Sequence, residues 1–156
     1  MLRRLQALVL TLSNSNSQPD MNKIKSGKAI VCEYVAQGSH GKHTLVNAYS
    51  GDILVQDLPA AIPLAFFIEL EFEGAGGNSQ LKVNVLLGGK SKAQAEAEIQ
   101  VESGKPGILV LQQAAFQIDG ATDIKVTMSM DGARAITLVR KTISQGNIPG
   151  LTVPTA

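Results

Sequence analysis

The only histidines in the chain stand close together, in His40-Gly-Lys-His43. Imidazoles at that spacing in a loop can begin a transition-metal site, which then needs further Cys, His or carboxylate ligands. Cys32 is the only thiol. The pair therefore reads as a solvated loop at the start of a strand, and no metal is expected. His43, Ser50 and Asp52 together hold the residue types of a nucleophile triad. No Gly-x-Ser-x-Gly elbow presents the serine, and Ser50-Gly51-Asp52 is the composition of a tight turn. Gly88-Gly-Lys-Ser91 ends like a phosphate-binding loop, but the full pattern requires glycine where this chain has Asn84. It also requires a helix whose N-terminal amides meet the phosphate, and the residues that follow alternate as a strand does. Glu69, Glu71 and Glu73 form an acidic stripe on one strand. Calcium sites gather carboxylates from several loops, so the stripe reads as a solvated face with Lys82, Lys90 and Lys92 as cross-strand partners. No catalytic residue, cofactor site or metal ligand is assigned.

The elements that must carry these residues are strands. Leu64, Phe66, Ile68, Leu70 and Phe72 share one parity, and Ala65, Phe67, Glu69 and Glu71 the other. Side chains alternate across a strand, so this stretch has one oily and one mostly acidic face. It is the expected central strand. Lys28 to Val35, Lys42 to Tyr49 and Ile53 to Val55 precede it. Pro59 and Pro63 are expected outside strands or at their very start, since proline gives no ladder donor. Leu81, Val83, Val85 and Leu87 alternate in the next strand, and Gly88-Gly89 makes a hairpin turn. Ser91 to Glu102 is rich in helix formers, yet its alanines and glutamates alternate strictly. That predicts a strand whose small inward residues mark a close approach or an edge. Ile108 to Leu111 is apolar on both parities and is expected to be covered on both faces. It continues through Ala114, Phe116 and Ile118. Asp131-Gly132 is a type I′ hairpin signal between two alternating runs, the second ending near Ile143.

Composition narrows the function classes. The chain has 156 residues, 44% hydrophobic and 17% charged, which suits one folded domain with its own core. Formal net charge is +1, which gives no field for nucleic acid or an anionic membrane. Arg134, Arg140 and Lys141 are too scattered for a nucleic-acid face. No stretch has the ~18 apolar residues of a membrane span. One cysteine permits no internal disulfide and points to a reducing, cytoplasmic setting. Met1-Leu-Arg-Arg with Leu5 to Leu12 imitates a secretion signal, but Gln6 interrupts the apolar run and no Ala-x-Ala site follows.

About nine short strands separated by Gly and Pro turns predict an all-β fold, a single antiparallel β-sandwich, immunoglobulin-like in architecture. The domain is expected over residues 27–144. Residues 1–20 and 145–156 would be extensions outside the core. Lys28-Ala-Ile-Val-Cys-Glu-Tyr34, Gly41-Lys-His-Thr-Leu-Val-Asn-Ala-Tyr-Ser-Gly-Asp52 and Leu58-Pro59 with Ile62-Pro-Leu-Ala-Phe-Phe67 resemble an uncharacterised bacterial family of small proteins, a domain of unknown function. The resemblance spans Lys28 to Ile143. It implies a sandwich and brings no activity or site residues with it.

The expected function is non-enzymatic: binding another protein, or self-assembly. Ile148, Leu151 and Val153 are the expected docking residues, on an uncharged tail that Pro149 and Pro154 keep extended. The alternative is a small-ligand or carbohydrate-binding module. An aromatic content of 4% and the lack of tryptophan weaken it, because sugar sites use stacking rings.

Overall fold

The computed structural model describes residues 21–147, which form ten strands. The central one is β5 (Ala60–Glu73). Its alternation holds: Leu64, Phe66, Ile68, Leu70 and Phe72 are buried, and the glutamates face out. β1 (Lys23–Cys32) and β8 (Pro106–Ile118) flank it antiparallel, giving the smaller sheet, β1-β5-β8. The larger sheet has the order β4-β10-β9-β6-β7. It is built from β4 (Ile53–Val55), β6 (Gly77–Leu87), β7 (Lys90–Val101), β9 (Thr122–Met130) and β10 (Ile136–Gln145). All its pairs are antiparallel except β4 with β10. The core lies between the sheets, where Phe66, Ile68 and Leu70 meet Val83, Val85, Ile124, Val126 and Met128.

Among the described residues, the two sheets do not close into a barrel. β1-β5-β8 facing β10-β9-β6-β7 is the strand order of an immunoglobulin-like sandwich, with three strands in the smaller sheet among the described residues. Among the described residues, nothing pairs with β8 on the side away from β5.

Several details depart from the pattern in the sequence. Alternation predicts one strand from Lys28 to Val35, but the chain bends at Glu33. β1 ends at Cys32, and β2 (Tyr34–Gln37) pairs only with β3 (His43–Val46). This hairpin lies over the outer face of the smaller sheet, where Cys32, Val35 and Ala65 bury a second apolar cluster against Leu45, Phe67 and Val110. β1 also begins earlier than the expected Lys28, at Lys23, with an extra residue, Lys25, bulged out of register. Gly27 hides the pattern there. A Cβ at Gly27 would sit 2.7 Å from a Leu138 methyl and 2.8 Å from a Leu70 methyl, so a larger residue there would push both leucines aside. Pro63 lies inside β5, paired with Ala115, and not at its start. It is tolerated because β1 reaches only as far as Ala65, so β5 has a neighbour on one side at that point.

The turns follow local chemistry. Gly88 and Gly89 have φ of 55° and 78°, as a type I′ turn needs. Asp131 and Gly132 have φ of 49° and 74°. The Asp131 carboxylate accepts the Gln80 N–H at 2.7 Å, which ties that turn to β6.

Candidate functional site

The residue types that could do chemistry are not brought together. His40 is exposed in a short 3₁₀ turn, and His43 packs its ring 5.2 Å from Phe67. The Asp52 carboxylate accepts the Thr142 N–H at 2.9 Å. Ser50 lies in a different environment from His43, in an open cleft of ≈ 590 Å³ between the loops around β4. Among the described residues, no group of three or more His, Cys, Asp or Glu side chains converges as a metal site would. Ser91 donates to Asn84 at 2.5 Å beside the Gly88-Gly89 turn, and a strand follows where a phosphate loop would need a helix.

The acidic stripe is paired, though not with the lysines expected from sequence. Lys28 meets Glu69 at 2.7 Å and Lys23 meets Glu73 at 3.4 Å, while Ser26 donates to Glu71 at 3.1 Å. All three partners are on β1. Lys82 instead faces Glu96 of β7 at 3.5 Å, because β5 and β6, although consecutive, belong to opposite sheets. The cleft around β4 holds Glu33, Tyr49, Asp52 and Asp57. Both oxygens of Glu33 are already occupied, by the Asn47 amide at 2.6 Å and the Tyr49 hydroxyl at 3.4 Å. Burial, reinforced by the Glu33 carboxylate, raises the Tyr49 pKa and keeps the hydroxyl protonated. Glu33, Tyr49 and Asp52 thus hold the loops in place.

The strand edges differ more sharply. An exposed edge offers unpaired backbone groups to any passing chain, and proteins blunt it with charge, bulges or brevity. β4 has 3 residues. β1 carries Lys23, Lys25 and Lys28 and a bulge at Lys25. β7 carries Lys90, Lys92, Glu96 and Glu98, with a bulge at Lys92. β8 has 13 residues and no charge at all. A bulge at Gln112-Gln113, opposite Ala65, divides it, but pairing with β5 is unbroken from Leu111↔Phe66 to Pro106↔Glu71. On this regular stretch Ile108 is 47% exposed, and Leu109, Val110 and Leu111 are only half-buried.

Beside β8 the sandwich gapes. Phe66, Val83 and Val85 floor a furrow of ≈ 220 Å³, walled by Ala93 and Ala95 of β7 and by Leu111 and Ala114 of β8. It continues past Phe116 into a second hollow of ≈ 180 Å³ at Leu87 and Gln117. The inward alanines of β7 are too small to meet β8 across the gap. The expected docking residues Ile148, Leu151 and Val153 lie outside the described residues. The sequence carries one signal for the β8 edge, its unbroken lack of charge from Pro106 to Ile118. Its apolar parities also predict cover on both faces, which Val110 has and Ile108 lacks.

No protein-family model matches the chain, and no curated protein matches it. Among the described residues, no helix is long and apolar enough to cross a membrane.

Proposed function

We propose that the protein is a non-enzymatic interaction module that takes an extended, uncharged polypeptide segment onto the edge of β8. The mode is strand addition: main-chain hydrogen bonds supply affinity, and alternate side chains of the added strand drop into the furrow. The observation that carries this reading is the uncharged, partly exposed run Gly107–Leu111, which alone among the sheet edges of the described residues has neither charge nor brevity to protect it. A small-ligand module has less support, since Glu33, Tyr49 and Asp52 of the cleft around β4 are already hydrogen-bonded within the protein. The single buried thiol supports a reducing, cytoplasmic setting.

The test uses a fluorescein-labelled, end-capped peptide of alternating valine and threonine, about eight residues long, and a control with prolines in alternate positions. Fluorescence anisotropy should report saturable binding of the first peptide alone. Hydrogen exchange should slow at Gly107–Leu111. Equal binding of both peptides, or protection elsewhere only, would remove the reading.

A further inference from the structure

Resting on that reading, we infer that the segment docked on β8 is β8 of a second copy of this chain, run antiparallel about a two-fold axis. A two-fold contact sets each edge against itself, so every charge must tolerate its own image. β1 does not: Lys23, Lys25 and Lys28 would face lysines. β8 does, because it has no charge to oppose. An axis through Leu109 pairs Ile108 with Val110 of the other copy on the outer face, and Leu109 with its own image on the core side, next to the end of the furrow at Val110 and Leu111. These are apolar cross-strand pairs at positions that are half-buried or exposed in one copy.

A second observation points the same way independently. β7 forms the opposite wall of the furrow, with Ala93 to Ala95 across from the part of β8 that begins at Val110, one residue beyond the axis. Its charge is polar along its length, with Lys90 and Lys92 in the first half and Glu96 and Glu98 in the second. The axis that runs β8 antiparallel also runs the two copies of β7 antiparallel, and lysines of each copy then approach glutamates of the other. A parallel arrangement would set like on like. The net charge of +1 leaves little repulsion between copies.

Sedimentation equilibrium of the full chain, from low micromolar to about 300 µM, should show a monomer–dimer equilibrium. Ile108→Lys should weaken association at least about tenfold, because each dimer gains two charges in a paired strand. Its unchanged thermal midpoint would show that the fold is intact. Lys92→Glu should weaken the dimer about threefold, and Lys92→Glu with Glu98→Lys should restore it. A monomer at every concentration overturns the inference. So does a dimer indifferent to Ile108→Lys, including one lost only on Leu151→Asp with Val153→Asp, which would place the contact on the C-terminal segment. If the valine–threonine peptide still binds a protein that stays monomeric, strand addition stands and the self-pairing fails. If neither binds, both fail.

Discussion

β7 and β8 run along the same flank of the sandwich, with 12 and 13 residues, and present opposite chemistry. β7 alternates small inward alanines with outward glutamates and starts with lysines. β8 is apolar or amide throughout. Among the described residues both are edges, and both line one furrow. Under the proposed strand addition, the difference would divide the work of recognition. A bare edge supplies main-chain bonds to any strand. The charged edge a furrow's width away rejects strands whose charges do not suit it. Neither strand alone would give both affinity and choice.

The largest effect should come from the floor that the two edges share. Phe66 is buried and meets Phe116 edge-on, with ring centroids 6.2 Å apart. Phe66→Ala should cost about 3–5 kcal/mol in a denaturant melt, and the edges would lose their spacing with it. A cost below about 1 kcal/mol would mean that the furrow is not built on this ring.

Erasing the contrast is the next test. Lys90→Val with Lys92→Val, Glu96→Val and Glu98→Val leaves β7 as bare of charge as β8. Association should tighten about tenfold, roughly 1.4 kcal/mol, and become open-ended, with light scattering rising with concentration. An unchanged association profile would show that these charges do not guard the edge.

Filling the gap sharpens the comparison. Ala95 is half-buried on the furrow wall. Ala95→Leu should raise stability by about 0.5–1 kcal/mol and weaken binding of the valine–threonine peptide, because the leucine takes the space an added strand would use. Tighter peptide binding would show that the furrow accommodates rather than excludes.

The smallest effect lies away from both edges. Burial first, and then the Glu33 charge, hold the Tyr49 pKa above its ordinary 10.0. The folded state therefore keeps this proton more tightly than the unfolded chain, and the stability it contributes is complete below pH 10.0. It is lost as pH rises from there through the folded pKa. Glu33→Gln should shrink that alkaline loss in pH-dependent melts, and an unchanged slope would assign it to other groups.

Which side chains face inward was legible in the sequence; which strands are neighbours was not. Alternation identified the buried face of β5 and chose strand over helix for β7 despite its helix-forming residues. Positive φ demanded by Gly88-Gly89 and Asp131-Gly132 marked two hairpins. Parity, however, continues unchanged through a bend, so Glu33 gave no sign that β1 and β2 belong to different sheets. Parity also says nothing about partners: sequence order points the glutamates of β5 at Lys82, whereas their partners are on β1. The bulge at Lys25 and the close approach at Gly27 concealed the start of β1. At the candidate site, the missing charge of β8 is plain in the sequence. That β8 is an edge follows only from the topology.

Cys32 sits where β1 gives way to the β2–β3 hairpin, fully enclosed, its Sγ 3.6 Å from the Ala65 carbonyl. Burial raises its pKa, so little reactive thiolate forms in the folded state. Because it is the only thiol in the chain, alkylating reagents have a single target, and they reach it only when the hairpin lifts. The rate of labelling thus reads out hairpin opening with no engineered probe.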